Sequence, residues 1–327
     1  MGYWSALQPT AFVGLVVFAA LLLSTGCAGA PHRDNPQTAY VVSDDGARLA
    51  QYAPMFVLQT WAEQHNRIGA PAVRREGGED TVWVDHARPI VYGRERPFQT
   101  EGASYTNLIY RVHFPRIPLP HLTVGRNVGL LVIITLDEAE RPVLLTTVHT
   151  CGCYLAFVPT SYLPPAALPE DWEAGAQEVH GETLPGRLNY PPEFAPRYRP
   201  AIFVRDGTHR VMDVRLVDLQ EAQWRYRVVP AELAPIESLD ALPTDGGTTS
   251  FFETSGPRKG FVKGSSKPLE RLLISWWALD WRVGQDKRYG PADQMNTILY
   301  TSLKPWRRKA SDMWPFAEFL RYWGWRL

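Results

Sequence analysis

Cysteine is scarce in this sequence: three residues in 327, at Cys27, Cys151 and Cys153. A disulfide framework, which small exported domains use in place of a large core, is therefore excluded. Net charge is also missing, since 34 Lys and Arg balance 34 Asp and Glu. No overall basic field exists to recruit nucleic acid, and no nucleic-acid partner is expected. There is no Gly-rich phosphate loop, no Gly-x-Ser-x-Gly elbow, no His-Glu-x-x-His helix and no Cys-x-x-Cys-His haem site. No internal repeat is visible. Apolar residues are not in short supply: 45% of the chain is hydrophobic and 21% charged. That is enough to fill a core, so disorder is not the default state.

The first 26 residues contain no Asp, Glu, Lys or Arg, and Phe12 to Leu23 is a nearly unbroken apolar run. A run this short suits the core of a signal peptide better than a bilayer span, which needs roughly 20 residues. Small residues follow at Ser24, Thr25 and Gly26, and then Cys27. The segment Leu22-Leu23-Ser24-Thr25-Gly26-Cys27 resembles the lipobox of bacterial lipoproteins. The resemblance implies residues 1–26 as a cleaved signal peptide, a diacylglycerol on the Cys27 sulfur, and an acylated new N-terminus. Ala28 after the cysteine implies outer-membrane retention. An uncleaved membrane anchor is the alternative, and either reading exports the same domain. Several acyl chains anchor firmly where a single chain is marginal.

Residues 27–45 read as a lipidated N-terminus and tether, because Ala28 to Asp45 is polar and shows no clear period. Residues 46–327 are expected to form one integrated α+β domain. Pro54 to Asn66 has helical features, with Pro54 in the first turn and Gly69 beyond the end. The β-rich core is predicted over 81–229, with a mainly antiparallel sheet. Gly77-Gly78 marks a turn before a strand at Thr81 to Val84. Leu108 to Phe114 alternates, and Val128 to Leu136 is almost wholly apolar, as a strand buried on both faces requires. Val143 to Val148 returns as its hairpin partner. Ile202–Arg205 and Thr208–Val217 flank Asp206-Gly207 as a second hairpin, and Trp224 to Val229 adds a strand. The intervening proline-rich stretch reads as a structural wrap. A Trp-rich helical part is predicted over 268–327, with helices at Leu269 to Val283 and Asp312 to Arg326. Seven of the twelve Trp residues lie between Trp276 and Trp325. They are interleaved with Arg and Lys, which suits a membrane interface or a protein-binding hot spot, but a tryptophan-rich core is the favoured reading.

The most chemically loaded spot is His149-x-Cys151-x-Cys153. If Val143 to Val158 is one extended strand, its period of two projects these three side chains together. Three readings compete. The pair forms a local disulfide, for which the chain must bend at Gly152 because Cα atoms two apart in a flat strand sit at the upper limit for bridging. Such a small ring is strained and easily reduced. Or thiolate and imidazole bind zinc or Cu(I), with His113 as a further donor. Or a cysteine near a histidine ionises and acts as a nucleophile. Thr150 to Tyr154 resembles the Ser/Thr-x-Gly-Cys motif of L,D-transpeptidases only faintly. The Arg or Asn that follows the cysteine there is absent, and that family is not assigned. His209 with Asp213 reads as a solvated sheet face, and the polar-aromatic stretch at Tyr105, Asn107, Tyr110, Arg111 and His113 as strand-edge hydrogen bonding. No catalytic set is complete. The sequence therefore favours an envelope-anchored lipoprotein that binds a ligand, a metal or an envelope protein partner. A thiol- or metal-dependent envelope enzyme is the alternative.

Overall fold

Residues Val128 to Leu136 are all buried, and their side chains alternate between two cores. Leu130, Val132 and Ile134 enter one, and Leu131 and Ile133 enter the other. A strand with no wet face must lie inside a sheet covered on both sides. The computed structural model describes residues 37–327 and builds this architecture around that strand. The expected signal peptide, Cys27 and most of the expected tether lie outside the described residues.

The strands are β1 (Thr38–Val42), β2 (Met55–Leu58), β3 (Ala70–Glu76), β4 (Glu79–Asp85), β5 (Ile90–Gln99), β6 (Ser104–Ile117) and β7 (Gly125–Leu136). They continue as β8 (Pro142–His149), β9 (Ala156–Pro159), β10 (Ala176–Val179), β11 (Glu182–Pro185), β12 (Tyr198–Val204), β13 (Val211–Asp218) and β14 (Arg227–Pro235). Among the described residues the α-helices are α1 (Arg48–Gln51), α2 (Leu219–Arg225), α3 (Pro268–Ala278) and α4 (Phe316–Tyr322). Ten strands form one sheet in the order β13-β12-β2-β1-β14-β5-β6-β7-β8-β9.

The fold is therefore mostly β and its main sheet is mixed, which corrects the expected α+β class. The β5 to β9 half is antiparallel throughout, as the hairpin patterns indicate. The other half contains parallel pairings of β2 with β12 and of β1 with β14, and β14 also pairs parallel with β5. Parallel neighbours are joined by long connections that leave no local turn signal. The sheet also begins inside the presumed tether, because Thr38 to Val42 is β1. Met55 to Leu58, read as helical, is a strand buried between β1 and β12. Four apolar residues with both faces covered outweigh the proline-first helix signal. The strand read at Trp224 to Val229 starts only at Arg227, after α2, whose Asp218 accepts the Gln220 N–H at 2.9 Å as N-cap.

The Trp-rich C-terminal part is not a helical layer. α3 stops at Ala278 because Leu279 turns left-handed at φ 50°. Arg308 then donates to the free carbonyls of Ala278 and Leu279, satisfying a helix end that would otherwise be bare. α4 begins only after Pro315 and ends before Gly324, at φ 87°. Between the two helices the chain is mainly irregular. It nonetheless covers the sheet: Leu299, Met313, Phe316, Phe319, Leu320 and Trp325 fill the core that contains Leu131 and Ile133.

Candidate functional site

β8 ends at His149, and the chain then turns. The Gly152 N–H donates to the His149 carbonyl at 2.8 Å, and the His149 N–H donates to the Cys153 carbonyl at 2.9 Å. Gly152 takes φ +96°, and Tyr154 follows at φ 58°. This is a tight hairpin turn with a glycine bulge, so the continuous strand expected from Val143 to Val158 is broken. Period two no longer applies, and His149 does not share a strand face with the cysteines. The bend at Gly152 that a local disulfide would require is nevertheless present. A Cβ on Gly152 would stand 1.9 Å from the Tyr300 carbonyl oxygen, so no other residue fits without displacement.

The turn is clamped from the C-terminal segment. The Lys287 ammonium donates to the Cys151 carbonyl at 3.0 Å, and the Lys287 N–H donates to the Thr150 carbonyl at 2.9 Å. The Thr150 hydroxyl donates to Asp286 Oδ1 at 2.6 Å. Asp286 also accepts from the Gly129 N–H on β7 and the Ser265 hydroxyl. Lys287 is fully buried, and burial pushes its pKa down.

Cys151 and Cys153 are both free, the first buried and the second half-buried. The Cys153 thiol is hydrogen-bonded to Cys151 and holds it well below the usual thiol range. Burial opposes this, and Lys267 and His149 add to it. Cys153 is raised correspondingly by Cys151 beside it, by burial and by Glu270. The two thiols are thus pushed in opposite directions, Cys151 down and Cys153 up. Glu270, in the first turn of α3, sets its Oε1 3.8 Å from Cys153 Sγ. Only 4% of Glu270 is exposed, and burial raises its pKa to about 7 despite Lys267. Gly284 makes room for it, since a Cβ there would lie 2.0 Å from Glu270 Oε2. The fully buried Lys267 ammonium lies 3.7 Å from Asp286 and 3.9 Å from Glu270, without a hydrogen bond to either. Burial would discharge it, but Asp286, Cys151 and Glu270 hold its pKa well above normal.

His149 donates through Nε2 to the His209 carbonyl at 2.9 Å, because a carbonyl can only accept. His113 is not brought into a ligand set. Its Nε2 accepts from Arg111 Nε at 3.0 Å, and burial, with Arg111 alongside, keeps it neutral. Among the described residues no group of three or more His, Cys, Asp or Glu is placed to hold a metal ion. His209 is buried and stacked on Phe114 at 4.1 Å, not solvated as expected, while Asp213 pairs with Arg215. Arg111 and His113 lie fully inside the protein, beneath Phe251 and Phe252.

The cysteines open into a cleft of about 510 Å³. Its walls include Tyr154, Phe157, His180, Glu270, Tyr300 and Trp323. That volume lies within the range of small-molecule sites. The sequence had pointed to Cys151 and Cys153 but not to Glu270, Lys267, Asp286 or Lys287. Glu270 within a Leu- and Trp-rich helix, and the Asp286-Lys287 pair among buried positions, were the available signals. Compared with known proteins, the chain matches no family model, no curated protein and no solved structure.

Proposed function

We propose that this chain is an exported, lipid-anchored bacterial envelope protein whose cleft performs dithiol–disulfide exchange on a small thiol or disulfide ligand. The lipobox-like leader ending at Cys27 supports the anchor, with outer-membrane retention from Ala28. The observation that carries the chemistry is the Glu270 carboxyl 3.8 Å from Cys153 Sγ, beside a second free thiol. A binding role was the stronger reading of the sequence alone. The buried acid–base group at the thiol moves the balance toward catalysis. Zinc or copper binding loses support because His113 is committed to Arg111.

The exchange runs as follows. Cys153, the more accessible sulfur, gives its proton to the Glu270 carboxylate. The thiolate attacks one sulfur of a disulfide RS–SR′, the S–S bond breaks, and R′S⁻ leaves with the proton from Glu270. The Cys151 thiolate then attacks the Cys153 sulfur of the mixed disulfide. RS⁻ departs and takes a proton from solvent. Two electrons have passed from the protein dithiol to the substrate disulfide, leaving Cys151 and Cys153 joined. The reverse direction oxidises two substrate thiols. A carboxyl group with a pKa near 7 exchanges protons in both directions at neutral pH. A bridge across one glycine is strained, and strained disulfides are readily reduced, which suits turnover over permanent storage.

The test uses the full chain in detergent with an aromatic disulfide such as 5,5′-dithiobis(2-nitrobenzoate). The reduced protein is expected to release two equivalents of aryl thiolate and lose two hydrogens between Cys151 and Cys153, as located by peptide mapping. Cys151→Ser is expected to stop after one equivalent, with the aryl group held on Cys153. Native thiols that stay unreactive, or a Cys153→Ser variant that reacts as fast as the original, would overturn the exchange reading. Palmitate labelling that persists in Cys27→Ala would separately refute the anchor.

A further inference from the structure

Helix α3 is inverted. On a helix of 3.6 residues per turn, Leu272, Leu273, Trp276 and Trp277 share one arc. All four are exposed, Leu272 at 71% and Trp276 at 68%. Ser275 and Ala278, on the opposite arc, are buried, as is Glu270 in the first turn. Leu279 and Trp281 extend the exposed apolar face beyond the helix end. Trp306, 75% exposed, is attached to the same place, because its neighbour Arg308 donates to the Ala278 and Leu279 carbonyls. Isolated exposed apolar side chains are ordinary, but a contiguous group with several Trp marks a surface that meets something other than water.

We infer that this face is a docking surface for an anionic phospholipid bilayer. Trp is the side chain most suited to the boundary between headgroups and acyl chains, and Leu fills the layer beneath it. The charges point the same way. Between residues 271 and 282, and between 303 and 310, the exposed charged residues are Arg271, Lys304, Arg307 and Lys309, all basic. Asp280, the acidic residue in those segments, is half-buried and accepts from the Tyr300 hydroxyl and the Arg282 N–H. Apolar side chains bordered by lysine and arginine complement an anionic lipid surface. The inference draws in part on the reading that the N-terminus is lipidated, which already holds the chain at a membrane. Among the described residues no helix is long and apolar enough to cross one, so contact here lies in the interface plane. Glu270, buried in the first turn of the same helix, lines the cleft together with Trp323 and Leu303. Docking through α3 therefore places the thiol cleft beside the lipid surface.

A fragment beginning at Asn35 lacks Cys27 and the leader but keeps the compact unit with every strand and core described above. Its binding therefore reports on the folded unit without the lipid anchor. It is expected to co-sediment with vesicles of phosphatidylglycerol and phosphatidylcholine, and at least tenfold less with phosphatidylcholine alone. Trp276→Ser with Trp277→Ser is expected to reduce binding tenfold or more without changing the melting temperature, since both rings are exposed. Lys304→Ser, Arg307→Ser and Lys309→Ser together are expected to remove the preference for anionic vesicles. No binding to either vesicle overturns the inference. So does self-association of the fragment that Trp276→Ser abolishes, because the face would then be a contact between copies. Failure of the anchor reading would show instead in Cys27 labelling and leaves this measurement intact.

Discussion

The central strand β7 and the helix α3 solve opposite problems with similar residues. β7 buries an apolar run on both faces and places a leucine–isoleucine layer in each core. α3 carries an equally clear apolar stripe, yet it presents that stripe outward and buries Glu270. The comparison shows that amphipathicity identifies two faces of an element without saying which one is inside. Here the buried charges decide. Lys267, Glu270 and Asp286 form one cluster that must be kept together, because separating a buried charge from its partner is more costly than leaving leucine in water. The apolar stripe of α3 stays exposed beside them.

The largest effect should come from the conventional side of the comparison. Trp325 is buried against Phe157 and Trp172. Trp325→Ala is expected to cost about 3–5 kcal/mol in denaturant unfolding. A loss under about 1 kcal/mol would mean that the C-terminal segment does not close this core. An intermediate effect belongs to the inverted side and depends on pH. The folded pKa of Glu270, about 7, lies above its ordinary 4.5. The folded state therefore holds the proton more tightly, and stability falls as pH rises from about 4.5 through about 7. The contribution is roughly 3 kcal/mol over that window. Glu270→Gln is expected to remove this part of the slope, so the variant gains on the parent protein as pH rises. Parallel stability curves for the two proteins would show that the carboxylate is not strained by burial. The smallest effect is expected at Trp276→Ala, within about 0.5 kcal/mol, because an exposed ring contributes little to folding. A loss of several kcal/mol would return α3 to the ordinary amphipathic class and remove the basis for membrane docking.

What could be read from the sequence follows the range of the signal. The β7–β8 hairpin was legible because two apolar runs flank a short polar link. The β12–β13 hairpin was legible too, although its loop spans Arg205 to Arg210 rather than two residues, with His209 left-handed at φ 56°. β1, β2 and the parallel position of β14 were not legible, since their partners lie far along the chain. The candidate site divides in the same way. Cys151 and Cys153 were visible by type and spacing. The groups that set their chemistry approach from more than a hundred residues away, with Glu270 117 positions from Cys153 and Asp286 136 from Thr150. The shared strand face expected for His149 and the two cysteines is replaced by a turn, which the period-two pattern could not reveal. The core reading of the C-terminal tryptophans holds for Trp325 and fails for Trp276, Trp277, Trp281 and Trp306.

β14 has a consequence for the order in which the molecule can assemble. It lies between β1 and β5, so the four-strand group β13-β12-β2-β1 meets the five-strand group β5 to β9 only through it. Its partners on the two sides are Thr38 to Val42 and Ile90 to Gly93, while it occupies Arg227 to Pro235. A chain that emerges N-terminus first can form the antiparallel hairpins early, but the sheet stays in two pieces until Pro235 has emerged. Closing loops of this length is entropically slow. Until then both β1 and β5 present unpaired edges to any chaperone or neighbour that finds them. β14 is thus the zipper of the fold, and completion of the domain waits on the last third of the chain.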